Sequence, residues 1–169
     1  QVSLDSAFSK RVYVDGWLSS AYSAMDYIGE FSEPFRWTAD DLYHPDMKEY
    51  HEGNYSADNQ FSDSNQNESR LWKYYEGIRK ASTFVNNVDL CPELTMDEKT
   101  DMKGQARFLR AYCYWALMRV YGPVPLIPLE GLDVNLSYEE LSLPREHFDV
   151  LVDFVDKELM EAARSLPTK

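Results

Sequence analysis

Residues 104–127, GQARFLRAYCYWALMRVYGPVPLI, constrain the fold of this chain more than any other stretch. Aromatic and aliphatic side chains occupy nearly every face of a helix here. Arg107, Arg110 and Arg119 interrupt them, and a Gly-Pro-Val-Pro sequence ends the run. A bilayer core demands roughly 20 consecutive apolar residues, and the helix's own longest charge-free run, Ala111–Met118, is far shorter. A helix that is apolar nearly all round and too short for lipid belongs in a protein interior, with neighbours on several sides. Its arginines then need carboxylates, or carbonyls of adjoining loops. Arg107 and Arg110 lie three apart on one face, and Asp40 and Asp41 are candidate partners.

The neighbours are legible from periodicity. Val14, Leu18, Ala21, Met25 and Ile28 recur at helical steps, so residues 11–28 read as a first amphipathic helix that Gly29 ends. Leu71, Tyr74, Tyr75, Ile78, Ala81, Val85 and Val88 make one stripe on a second, over residues 69–89, stopped by Cys91-Pro92. Thr95-Met-Asp-Glu98 is a capping box that opens the third, which runs to Tyr121. A fourth runs from Pro144 to Leu166 on Phe148, Leu151, Val152, Val155, Leu159, Ala162 and Leu166. No alternating run insists on a sheet, although residues 123–128 are held extended by proline and could pair briefly with another segment. The expectation is an all-α fold of helical hairpins, tetratricopeptide-like in style, with long polar-aromatic loops. No repeat of 34 residues is visible. Residues 1–169 read as a single helical region, and the unpartnered stripe of the fourth helix predicts that the natural chain continues.

Charge and composition exclude several functions. Lys plus Arg number 17 against 29 Asp plus Glu, a net charge of -12. Nucleic-acid backbones and anionic membrane surfaces require clustered cations, so neither is an expected partner. Cys91 and Cys113 lack metal or redox spacing and read as small hydrophobes. There is no nucleophile elbow, no glycine-rich phosphate loop, and no carboxylate pair placed for glycoside hydrolysis, so no catalysis is expected. The Asn-x-Ser sequons at Asn54, Asn67 and Asn135 are of a kind that Asn/Ser-rich sequence produces by chance. Asp41, His44, Asp46, Glu49 and His51 cluster locally without a known ligand spacing. No cofactor is expected there, and calcium is the ion its oxygens would take in preference to zinc.

Binding chemistry concentrates elsewhere. Residues 44–70 form a polar loop, far longer than the usual connection and carrying Tyr50, Tyr55 and Phe61. The preceding FRWTADDLYH, residues 35–44, interleaves aromatic and carboxylate side chains. A flat aromatic face covers the C–H side of a pyranose while carboxylates and amides bond its hydroxyls. Trp37, Asp41, Tyr43, Tyr55, Asn65 and Asn67 are therefore the candidate glycan contacts, although by residue type alone Trp37 reads rather as a plug at the end of the helical core.

The stretch from Gly104 to Ile127 resembles the signature of the SusD/RagB family, an arginine-bearing helix running into Tyr-Gly and a Val-Pro-Leu tail. WKYYEGIRKASTFVNNVD, residues 72–89, is similar to the family's preceding helix, with Ser82 where Asn is usual. LPREHFDVLVDFVDKELMEAARSLP, residues 143–167, is similar to the following one, with Glu158 in place of Asp. The resemblance implies the N-terminal part of a larger all-α, tetratricopeptide-like protein. It further implies a surface lipoprotein of Bacteroidetes-type bacteria that binds oligosaccharides, polysaccharides or other nutrients without catalysis. Such a protein is a lid on a SusC-like TonB-dependent transporter in the outer membrane. The lipid-bearing cysteine of the family lies at the mature N-terminus, so neither Cys91 nor Cys113 matches it, and contact with the membrane would be through that anchor alone. A helical module that docks a transporter or peptide without binding sugar is the competing reading.

Overall fold

A computed structural model describes residues 4–25, 41, 43, 45, 48–54, 70–133 and 135–167. Among them are four long helices, labelled here α1 (Arg11–Tyr22), α2 (Arg70–Asn87), α3 (Met96–Tyr121) and α4 (Phe148–Ser165), and no strand. Single turns at Leu4–Ala7, Lys48–His51 and Tyr138–Leu141 accompany them. The all-α expectation holds.

α3 is the central element. Its start is the capping box read from sequence: Glu98 N–H donates to Thr95 Oγ1 at 3.3 Å, and Thr95 N–H to Glu98 Oε2 at 2.9 Å. Two amides that a helix end leaves orphaned are thus satisfied. At the other end Gly122 takes φ 66° and its N–H donates to Met118 O at 3.0 Å, a backbone conformation that favours glycine. Helix α2 packs antiparallel on one side of α3, through Tyr74, Ile78, Tyr114 and Leu117; α4 packs antiparallel on another, through Leu151 and Val155. Helix α1 lies along α2 and α3, contributing Val14, Leu18 and Ala21 to a second cluster with Ala81, Phe84, Ala106 and Leu109. In its second half α3 packs against α2, α4 and Val124 of the following segment, which leaves only a narrow exposed edge at Trp115 and Arg119.

Two glycines set the spacing between helices. A Cβ on Gly77 would stand 2.7 Å from Ala24 Cβ and 2.9 Å from Cys113 Sγ, and one on Gly104 would stand 2.9 Å from Ser165 Cβ. Backbones this close need hydrogen at those positions. Both cysteines are buried and free; burial pushes the Cys113 thiol up to about 12, so it packs as a small hydrophobe.

The structure revises three boundaries. Helix α1 tightens into a 3₁₀ turn at Ser23–Met25, and Ile28 and Gly29 lie outside the described residues. Helix α2 ends at Asn87, with a 3₁₀ turn over Val88–Leu90. Helix α4 begins at Phe148 rather than Pro144, with His147 Nδ1 accepting from Asp149 N–H at 3.3 Å. The delay has a cause. Arg145 Nη1 donates to Tyr121 O at 3.2 Å and Pro123 O at 3.1 Å, and Glu146 N–H donates to Val124 O at 3.1 Å. These bonds hold residues 142–147 extended against the Pro123–Pro128 segment, and supply the brief pairing that its prolines allow.

Candidate functional site

The sequence-predicted contacts fall in the least described part of the chain. Tyr43 is exposed, its ring 5.1 Å from that of His51 and tilted 36° to it; Asp41 is exposed nearby in sequence. Trp37, Tyr55, Asn65 and Asn67 lie outside the described residues. So do His44 and Asp46 of the proposed ion cluster, along with the side chain of Glu49, and no group of three metal-ligating side chains occurs among the described residues.

The arginines of α3 are placed well. Arg107 Nη1 meets Glu158 Oε1 of α4 at 2.8 Å, and Arg110 Nη1 stands 3.8 Å from Glu158 Oε2. Among the described residues Glu158 is the carboxylate both arginines meet. Of the partners expected from sequence, Asp40 lies outside those residues, and Asp41 is exposed and makes neither of these contacts. Arg110 is 3% exposed, its guanidinium 4.8 Å over the Phe154 ring and 5.7 Å from that of Tyr114. Burial pulls its pKa below the ordinary value, with Tyr114 and Glu158 opposing.

Arg110 also answers to the loop carbonyl anticipated for it. Its Nη2 donates to Ile127 O at 2.6 Å, while Ile127 N–H donates to Tyr114 Oη at 2.8 Å. Tyr75 Oη donates to Pro125 O at 3.1 Å and Asn86 Nδ2 to Leu129 O at 2.8 Å. An extended segment without sheet partners must satisfy its backbone some other way. Here side chains from α2 and α3 do so from within, and Arg145 with the Glu146 amide does so from the other flank. Residues 121–129 become a fixed strap. Burial pushes the Tyr75 and Tyr114 phenols up, keeping both neutral in that role.

Between the strap and α2 lies a groove of about 930 Å³. Leu71, Ile78, Val124 and Leu129 make much of its wall, and the turn Tyr138–Leu141, set by a second capping box at Ser137 and Glu140, closes one side. Trp72 and Tyr138 stand on it at 69% and 86% exposure. Ser82 lines it too, only 6% exposed, with no hydrogen-bond partner for its Oγ among the described residues. Sequence reasoning passed over Trp72 and Tyr138. The available signal was negative: position 72 lies off the stripe of 71, 74, 75 and 78, so a large aromatic there points outward.

Comparison with known proteins fixes the lineage. The model of a SusD-like family described as "Starch-binding associating with outer membrane" matches residues 6–169. SusD-like protein P25 of Formosa agariphila is 30% identical over 77 residues, covering 43% of this chain and 15% of that protein. A solved structure named BT4246 superposes with a TM-score of 0.69 at 22% identity, over 94% of this chain and 27% of its own. A SusD-like protein of Bacteroides fragilis (BF3747) gives 0.68 at 23% identity, over 96% and 31%. The chain thus spans less than a third of each relative. The two superpositions bear on fold alone and agree with the helical hairpins described above. With its family model matched from residue 6 to residue 169, the chain belongs to the SusD-like family.

Proposed function

We propose that this chain is the N-terminal helical portion of a non-enzymatic protein on the outer face of the outer membrane. It binds glycans or other nutrients and presents them to a SusC-like TonB-dependent transporter. The observation that carries the reading is the family match over nearly the whole chain, to a family described by starch binding and association with the outer membrane. No helix among the described residues is long and apolar enough to cross a membrane, which is compatible with attachment through a lipid anchor. Trp37, Asp41, Tyr43, Tyr55, Asn65 and Asn67 are the proposed contacts in the loop region, on the chemistry of aromatic faces and polar edges. The net charge of -12 disfavours nucleic acid and anionic polymers alike.

Native affinity electrophoresis tests this. The natural full-length chain, run through gels containing a panel of polysaccharides, is expected to be retarded by at least one, and Trp37→Ala to weaken that retardation. Unaltered mobility in every gel sinks the glycan reading.

One observation favours a second reading, a module that docks a protein without holding sugar. Phe148 and Val152 are each 44% exposed and Leu159 38% exposed, all on the outer side of α4. This reading predicts loss of transporter pull-down in Val152→Asp with glycan binding absent altogether.

A further inference from the structure

Among the described residues, Trp72 and Tyr138 are the two most exposed aromatic side chains, and both stand on one groove. Neither contributes to a buried cluster. We propose that this groove is a carbohydrate subsite, with Trp72 and Tyr138 as its stacking platforms. The proposal rests on the glycan reading above, adding to the loop residues a second place of contact.

Three features select an oligosaccharide as occupant. The groove's roughly 930 Å³ falls within the range of small-molecule sites, about 300–1,000 Å³, and admits a few linked sugar rings. Its charged residues are Glu76, Arg79, Glu130 and Arg145, two of each sign, so its field favours an uncharged ligand. Finally, the strap's carbonyls at residues 121, 123, 124, 125, 127 and 129, with the amide of 127, are already bonded to side chains or to Glu146 N–H. An extended peptide adding along the strap would find its backbone edge occupied. A pyranose needs no such edge: its C–H faces lie on aromatic rings and its hydroxyls bond isolated polar groups.

The wall is also preformed. Its backbone is fixed by Arg110, Tyr114, Tyr75 and Asn86, so ordering the site costs the ligand little binding energy.

The test is native affinity electrophoresis of the full-length chain in gels containing amylopectin, mixed-linkage β-glucan or galactomannan, all uncharged. Trp72→Ala, Tyr138→Ala and Trp37→Ala are compared with the natural protein. Trp72→Ala and Tyr138→Ala should each weaken retardation by about tenfold, which is about 1.4 kcal/mol. Trp72→Phe should restore most of the loss. Melting temperatures of the two rim variants should match the natural protein, since both side chains are exposed. Natural-type retardation in both rim variants overturns the subsite, while binding by the natural protein leaves the glycan reading standing. No retardation of the natural protein in any gel overturns both.

Discussion

Helix α3 carries two arginine–carboxylate pairs that look alike in distance and differ in everything else. Near its start, Arg11 Nη1 lies 2.7 Å from Glu98 Oε1, with side chains 50% and 34% exposed. Near its middle, Arg107 Nη1 lies 2.8 Å from Glu158 Oε1, with Glu158 10% exposed and Arg110 beside it at 3%. Contact length therefore says little about what a pair does. The outer pair sits in solvent, where Coulomb attraction is weak, salt screens it and the side chains must be immobilised to form it. The inner group is taken out of water, and desolvation offsets much of its attraction. Its satisfaction is also incomplete: Glu158 Oε2 and Arg110 Nε have no hydrogen-bond partner among the described residues. The inner cluster therefore acts as a specifier of arrangement. It ties α4 to α3 in one register and leaves Arg110 free to hold the strap at Ile127. The outer pair sharpens a helix start that the capping box already defines.

The largest expected effect breaks the inner cluster. Glu158→Ala leaves two arginines near the α3–α4 seam without their shared carboxylate, one of them almost wholly buried. Removing one partner of a buried pair costs about 3–5 kcal/mol. For a domain of this size that lowers the melting temperature by on the order of 10 °C. Thermal unfolding followed by circular dichroism checks it; a shift no larger than that of a surface substitution would show that the cluster is solvated in practice. Glu158→Asp should fall between, because a side chain one methylene shorter withdraws from the 2.8 Å contact with Arg107.

That cluster also marks where sequence stops speaking. Helix positions follow from apolar spacing, and the Thr95–Glu98 box from four adjacent residues, so both are local and legible. The same local signature at Ser137–Glu140 is equally plain in the sequence, and it fixes the turn that carries Tyr138. The partner of Arg107 lies 51 residues away, on a helix whose angular setting no periodicity dictates. Glu158 was visible only as a departure from the family's usual Asp. The Pro144 start failed because proline tolerates a first turn without requiring one, and the bonds from Arg145 and Glu146 to the strap decided otherwise. The groove is least legible of all: its walls come from α2 and from residues 121–145, and what places its aromatic rim is their packing.

A smaller effect should come from the cap alone. Thr95→Ala removes the acceptor for Glu98 N–H and leaves a first-turn amide to solvent. The expected cost is about 1 kcal/mol, or roughly 2–4 °C in melting temperature. Thr95→Ser, which keeps the oxygen, should recover most of it. Equal losses in the two variants would mean that the Thr95 methyl, and not its hydroxyl, matters.

The smallest effect is expected from the outer pair, and it is separable by pH and salt. The Thr95 amide, then Arg11, then the Thr95 hydroxyl hold the Glu98 carboxyl down at about 2, well below the ordinary carboxylate range. A group whose folded pKa is depressed stabilises the fold above its unfolded value and loses that contribution as pH falls through the folded one. Glu98→Gln should therefore melt slightly lower than the natural protein above about pH 5, and the gap should close progressively as pH falls toward 2. Raising the salt concentration to about 1 M should narrow the gap at neutral pH by screening Arg11, while the part owed to the short-range bonds from Thr95 persists. A gap that vanishes in salt would assign the whole effect to Arg11, and the capping box would then owe nothing to the charge on Glu98. A gap that ignores both pH and salt would mean that the substituted amide side chain simply packs differently, and the contrast between the outer and inner pairs would have to rest on Glu158 alone.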